Sequence, residues 1–532
     1  MKLVYEIMSK VLHEHNVEYI FGIPGGGWID YIQALHKEKV KFILVSNEAS
    51  AGFMAATVGR LTGNPGVCYA TLGPGATNLS TGVGCAYLDR NPLIAFTHEV
   101  SMKFMDRRTQ MGIDHQGLFR PITKWTTRLC KEGIKDILNE SFDIARSEVP
   151  GPVHIGIPSD LENSEEIFKS QKVISEKIMN LLTPEYKQNI KKLFYNSRKP
   201  ILAVGLSAVR AGVHHLINEF INKHKIPVVL TPMAKGIISE SNTMYTGVLF
   251  HALQNYVVKT CNEADLVLGI GYDPVEYNYE DWLPNVPLIH VDSRISDISG
   301  NSNHVMDVVS EIKPCIEYLL SLPEVENDWD EKILLQRKND MFHKFEPSVD
   351  FGPNTILSNL REHLPKDGIL TCDVGAHTHL IGQMWRTPSP ECLIMTNGWS
   401  SMGFGIPAAI AAKLVYPGRN VVCVTGDGGF LMMAGEMATV KRLGINIVFI
   451  VLIDRELSLI RLKQERKGYL LNGTNLFHWA HRSPNSYFGV PVIEARDRDS
   501  YKKALKEAFS LNSSVIIEAF IDGSEYEELV LK

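Results

Sequence analysis

Asn420-Val-Val-Cys-Val-Thr-Gly-Asp-Gly-Gly429 runs from a solid apolar stretch into a glycine turn with an acid at its centre. An apolar run without polar alternation marks a strand buried on both faces, as in a parallel sheet covered by helices. Gly426, Gly428 and Gly429 let the chain turn sharply and bring backbone N–H groups close to an anion. The following stretch, Phe430 to Leu443, reads as a helix whose N-terminus faces that anion. A second strand of the same kind, Asn446-Ile-Val-Phe-Ile-Val-Leu-Ile453, ends at Asp454. In open parallel sheets ligands sit at the carboxyl ends of strands, so both acids stand where binding groups belong. Carboxylates beside an anion need a bridging cation, and oxygen ligands favour Mg²⁺. Gly-Asp-Gly alone is a common turn. The acid after the adjacent strand is what gives it weight.

The same strand grammar extends outward. Gly368-Ile-Leu-Thr-Cys372 and Ser514-Val-Ile-Ile-Glu-Ala519 complete a C-terminal block, about 350–532. Pro200-Ile-Leu-Ala-Val-Gly205, Pro227-Val-Val-Leu230, Asp265-Leu-Val-Leu-Gly-Ile-Gly271 and Pro287-Leu-Ile-His-Val-Asp292 define a central block, about 185–320. The first block, 1–165, alternates a helix-like stretch (Leu3 to Glu14) with runs at Phe42–Val45, Gly66–Thr71, Leu93–Thr97 and Gly151–Pro158. Charged segments, Asp160 to Lys177 and Glu324 to Lys344, read as linkers, the second helical or irregular. The expected fold is α/β, with three open parallel-sheet domains.

Composition narrows the function. The 532 residues are 45% apolar and 21% charged, the profile of a globular chain of roughly three domains. A net charge of −6 argues against nucleic acid as a partner. No apolar run reaches the roughly 20 residues of a membrane span, and the charged start lacks a signal-peptide core. Eight scattered cysteines without a CxxC pair suit neither zinc nor disulfides, so the expected compartment is the cytoplasm.

Three further segments carry chemistry. Glu48 follows the strand Phe42–Val45 and precedes small residues that suit a tightly packed helix start. Taken alone, it reads better as a first-turn glutamate favoured by the helix dipole. Gly22-Ile-Pro-Gly-Gly-Gly27, which includes Gly25, is either a loop passing close to a ligand or a plain turn. Gly73-Pro-Gly-Ala-Thr-Asn-Leu-Ser80 is similar, with Asn78 adding a hydrogen-bonding group.

Gly22-Ile-Pro-Gly, the Glu48 segment, Gly73-Pro-Gly-Ala-Thr-Asn, Pro121-Ile-Thr-Lys-Trp125, Met402-Gly-Phe-Gly-Ile-Pro-Ala and Gly426-Asp-Gly occur in this order. Together they resemble the thiamine-diphosphate enzyme family of acetolactate synthase, benzaldehyde lyase and related 2-oxo acid decarboxylases, over nearly the whole chain. The resemblance implies a pyrimidine-binding first domain, a central domain and a diphosphate-binding third domain. It implies that Glu48 hydrogen-bonds the cofactor's aminopyrimidine, with Gly25 and Asn78 nearby. Met402 would support the bent cofactor, and Ser400 would hold the pyrimidine edge through its carbonyl. Val374, Gly375, Ala376, His377, Gly426, Gly428 and Gly429 would lie along the diphosphate. Asp427, Asp454 and the main-chain oxygen of Glu456 would hold Mg²⁺. A homodimer or homotetramer, with the active site between subunits, is implied as well.

The chain departs from the family at informative places. Aspartate stands at 454 where asparagine is usual. Thr97-His98-Glu99 replaces Thr-Gly-Gln, which could turn a second titratable group, His98, toward the reaction. Gln110 resembles a substrate-facing glutamine of benzaldehyde lyase. Asn475 to His481 replaces a more regular helix. For His98, His115, His478 and His481 a plain hydrogen-bonded or surface role competes with proton transfer. The implied reaction is decarboxylation of a 2-oxo acid, pyruvate first, and ligation of the resulting acyl carbanion to a second carbonyl. Simple decarboxylation or carbon–carbon lysis is the alternative, and a non-catalytic homologue is the alternative of another class. FAD in the central domain is possible but not favoured, because Gly269-Ile-Gly271 is not a GxGxxG fingerprint.

Overall fold

The computed structural model describes residues 3–161, 182–277, 282–298, 305–477 and 482–530. Most of the first expected linker, and residues 478–481 with both of their histidines, lie outside the described residues.

Three sheets organise the chain. The first holds β1 (Tyr19–Gly22), β2 (Lys41–Leu44), β3 (Gly66–Ala70), β4 (Leu93–Glu99), β5 (Trp125–Arg128) and β6 (Pro152–Pro158). Its order is β2-β1-β3-β4-β6-β5, parallel throughout. The second holds β7 (Pro200–Val204), β8 (Val228–Leu230), β9 (Tyr245–Val248), β10 (Leu266–Ile270), β11 (Leu288–Asp292) and β12 (Val305–Val309). Its order, β12-β11-β10-β7-β8-β9, reverses between β7 and β10. Dinucleotide-binding sheets reverse at the same point. The third holds β13 (Ile369–Cys372), β14 (Leu393–Ile394), β15 (Val421–Gly426), β16 (Val448–Ile453), β17 (Ser486–Tyr487), β18 (Val490–Ala495) and β19 (Val515–Phe520), in the order β14-β13-β15-β16-β19-β18-β17.

The fold is α/β as the apolar runs require. One pairing departs from an all-parallel reading: β17 lies antiparallel to β18, a short hairpin at the sheet edge. The stretch Phe430–Leu443 forms two helices, Asp427–Met433 and Glu436–Leu443, separated at Ala434-Gly435. The second expected linker contains the helix Glu331–His343, opened by Asp330, which accepts from Lys332 N and Ile333 N.

Glycine decides how the first sheet meets the third. The helix Glu48–Thr62 is capped by Asn47, whose side chain accepts from Ala49 N, and is stopped by Gly63 at φ 69°. It crosses the helix Pro74–Leu88 in backbone contact: a Cβ at Gly52 would stand 2.6 Å from the Cα of Gly82. On its other side it packs against the helix Gly405–Val415, with Phe53 edge-on to Phe404 at 5.8 Å. A single apolar core therefore joins the two sheets.

Candidate active site

Asp427 begins its helix at the end of β15, and Asp454 follows β16. Because β15 and β16 are adjacent and parallel, in a register that pairs Gly426 with Leu452, the two acids emerge side by side. They line a cavity of about 140 Å³ together with Val374, Gly375, His377, Met402, Gly428 and Glu456. Ala376, Gly426 and Gly429 border the same cavity. Asp427 accepts from Gly428 N at 2.9 Å and from Arg455 N at 2.8 Å. Asp454 accepts from Ser458 Oγ at 2.5 Å. Burial raises both carboxyl pKa values; the charge of Asp454 adds to the rise at Asp427, and that of Glu456 to the rise at Asp454. Two acids held this way favour a cation. Glu456 turns its side chain to Arg461 Nε at 2.6 Å, and its backbone N donates to Asp454 Oδ1 at 3.4 Å.

The rest of the cavity wall suits an anion. His377 is buried, and its Nε2 has no partner among the described residues. Burial holds its pKa down to about 4, so the imidazole is neutral. A buried polar atom without a partner is costly unless a ligand meets it. Gly375 and Gly426 leave their wall space to this ring: Cβ atoms there would stand 2.8 and 3.5 Å from His377 Cε1.

Asp373 was not singled out from sequence, because it reads as the polar end of a strand. It fastens three loops of this wall, accepting from Val374 N at 2.7 Å, Gly403 N at 2.8 Å and Thr425 Oγ1 at 2.8 Å. Burial pushes its pKa up to about 6. Tyr526, also unforeseen, lines the cavity beside the acid pair. Ser400 sits on the neighbouring loop in the left-handed region, φ 52°, with Oγ on Asn397 O at 2.8 Å.

Glu48 occupies a separate place. It is buried at the first turn of its helix, 7% exposed, and Asn78 Nδ2 donates to its Oε2 at 3.0 Å. Gly75 passes beside it: a Cβ there would stand 3.4 Å from Glu48 Oε1. Gly25 lies against Thr71 Oγ1, at the ends of β1 and β3. Neither Glu48, Gly25 nor Asn78 lines the cavity of Asp427.

His98 and Gln110 do not line the cavity of Asp427 either. His98 is buried edge-on to Trp28, Tyr31 and Tyr69, with Nδ1 bonded to Tyr69 Oη at 2.7 Å. Gln110 is exposed on the loop before Asp114. Glu99 is drawn inward too, paired with Arg128 and accepting from Gln116 Nε2 at 3.0 Å.

Paired acids and a glycine turn at the carboxyl ends of parallel strands are the features of a class of α/β enzyme that binds a phosphorylated cofactor. Family models identify the class more closely. Residues 2–118 match the thiamine pyrophosphate enzyme N-terminal TPP binding domain, 188–319 its central domain and 373–519 its C-terminal TPP binding domain. The chain is 30% identical to the "Probable acetolactate synthase large subunit" of Methanocaldococcus jannaschii over 98% of this chain and 92% of the relative. It is 29% identical to the acetolactate synthase of Bacillus subtilis (98% and 93%), and 30% identical to the acetolactate synthase large subunit of Lactococcus lactis (86% and 82%). The chain belongs to the thiamine pyrophosphate enzyme family, and thiamine diphosphate is its cofactor.

Proposed function

We propose that this enzyme is an acetolactate-synthase-like carboligase: it decarboxylates a 2-oxo acid, pyruvate first, and joins the acyl unit to a second carbonyl. The observation that carries the reading is Glu48, buried and oriented by Asn78 in a chain similar along its length to acetolactate synthases. Bound thiamine diphosphate supplies the electron sink for breaking and making a bond beside a carbonyl. Glu48 Oε2 is engaged by Asn78, so Oε1 is the atom left to exchange a proton with the pyrimidine. His377 and the helix start at Gly428-Gly429 would hold the diphosphate, and Asp427, Asp454 and the Glu456 carbonyl would hold Mg²⁺. Met402 would support the cofactor from the cavity wall, and Ser400 would offer its carbonyl to the pyrimidine edge.

That Glu48 lies outside the Asp427 cavity supports a homodimer or homotetramer in which Glu48 of one copy faces the Asp427 cavity of another. Among the described residues no helix is long and apolar enough to cross a membrane. We place the enzyme in the cytoplasm.

FAD in the central domain is not favoured. At the strand reversal Gly205 and Gly271 are in backbone contact, and Glu276 stands beside them, accepting from Leu206 N at 2.9 Å and Met233 N at 3.2 Å. A carboxylate already stands where a dinucleotide's phosphates approach.

The test is a product assay with thiamine diphosphate, Mg²⁺ and ¹³C-labelled pyruvate, alone and with a panel of aldehydes and 2-oxo acids. A labelled 2-hydroxy-3-oxo acid or hydroxy ketone is the expected product. Acetaldehyde alone moves the assignment to a decarboxylase. No turnover with bound cofactor excludes pyruvate as donor.

A further inference from the structure

The helices that follow Asp427 are tied along one strip to the segment that carries Glu48. Arg442 Nη2 donates to Leu44 O at 2.8 Å, Ser46 Oγ to Gly435 O at 2.8 Å, and Ser50 Oγ to Met433 Sδ at 3.2 Å. At the centre is Glu436, a carboxylate only 1% exposed, outside every residue set the sequence pointed to. Its Oε1 accepts from Ser46 N at 2.9 Å and Asn47 N at 3.2 Å, and its Oε2 from Thr439 Oγ1 at 2.7 Å. A buried carboxylate is costly unless its lone pairs are met, and here donors meet both oxygens. Ser46 and Asn47 are the last residues before the helix on which Glu48 is the first. Their N–H groups lie outside the helix's own ladder, so only an outside acceptor can fix them.

We propose that Glu436 is a positioning residue: it clamps the Ser46-Asn47 turn and thereby sets the direction of the Glu48 carboxylate. This rests on the assignment of Glu48 as the group that activates the cofactor. The clamp joins the Glu48 turn to the start of the helix Glu436–Leu443, which follows the helix of Asp427, so displacement of either reaches the other. Glu436→Ala removes both acceptors. Glu436→Gln keeps one carbonyl oxygen for the two N–H groups, and the Thr439 hydroxyl can rotate to accept from the new amide.

The experiment has two readouts. The first is amide hydrogen exchange of the peptide spanning 44–50 in the cofactor-free protein. Glu436→Ala is expected to speed exchange there while peptides of β4 and β6 stay as in wild type, and Glu436→Gln to stay close to wild type. The second is hydrogen–deuterium exchange at C2 of bound thiamine diphosphate, without substrate. A displaced Glu48 slows it on the order of 10²-fold in Glu436→Ala, while Glu436→Gln restores most of the rate. Unchanged peptide exchange, or unchanged C2 exchange, in Glu436→Ala overturns the proposal. Equal loss in Ala and Gln overturns it as well. If Glu436→Ala does not fold, Glu436→Asp, one methylene short of the turn, takes its place under the same criteria. Glu48→Gln is the control: if that variant also leaves C2 exchange intact, the assignment of Glu48 fails and not the clamp.

Discussion

Asn78 Nδ2 donates to Glu48 Oε2 at 3.0 Å across two helices that touch at Gly52 and Gly82. The bond fixes which carboxylate oxygen is free. Glu48→Gln should lower turnover by roughly 10²–10⁴-fold with cofactor binding and thermal midpoint retained, since proton-transfer groups contribute that much. Asn78→Ala should cost about tenfold, the worth of one hydrogen bond to a charged group. Steady-state kinetics beside a thermal melt checks both; near-normal turnover in Glu48→Gln refutes its role.

The same crossing has no room for a side chain. Gly52→Val should destabilise the protein by about 1–3 kcal/mol through overpacking, read as a lower urea midpoint. It should also slow turnover in the folded fraction, because the helix that carries Glu48 must shift. A midpoint equal to wild type would show that the helices separate freely.

The acid pair makes a prediction about the metal. Asp454→Asn, the residue usual in the family, should weaken Mg²⁺ about tenfold, a loss of about 1.4 kcal/mol. Asp427→Asn should weaken it further and release thiamine diphosphate with it. Titration of Mg²⁺ by calorimetry separates the two; equal affinity in wild type and Asp427→Asn would remove Asp427 from the metal site.

Buried neutral histidines set an acid limit on stability. Burial lowers the pKa of His115 to about 4, the Arg128 charge adding to it, and lowers His154 well below its ordinary value. A depressed pKa means the unfolded chain takes up protons first. The contribution is whole above about pH 6.5 and drains as pH falls toward 4, by roughly 3 kcal/mol for His115. Urea midpoints at pH 7.5, 6, 5 and 4.5 should fall in wild type and fall less steeply in His115→Asn. Parallel slopes would contradict this.

The strands that build the cavity were legible because they are long, apolar and end at glycine or aspartate. β14 and β17 were not, being two residues each, nor β18, which Pro491 interrupts. The residues gathered around the Asp427 cavity follow from strand ends, which adjacent parallel strands place together without help. Asp373 and Glu436 escaped notice for one physical reason: each works by accepting from backbone N–H groups of distant loops. Backbone partners leave no trace in residue spacing. Thr97-His98-Glu99 suggests a second titratable group at the reaction; β4 holds His98 and Glu99 in the interior of the first sheet, where His98 bonds Tyr69, whose Oη also faces Gly25.

That interior holds a row of hydrogen bonds with a fixed sense. Gly73 N donates to His115 Nε2 at 3.3 Å, so Nδ1 of that ring must carry the proton it shares with Thr97 Oγ1 at 2.8 Å. Thr97 then donates to His154 Nε2, His154 Nδ1 to Thr126, Thr126 to Gln116 Oε1, and the Gln116 amide to Glu99. In ice such a row could reverse, and the two arrangements would share an entropy. Here a peptide N–H at one end and a carboxylate at the other leave a single arrangement. The row behaves as a frozen dipole: a proton added to either ring meets a donor already aimed at its Nε2, Gly73 N–H or Thr97 O–H, and this opposition adds to that of burial.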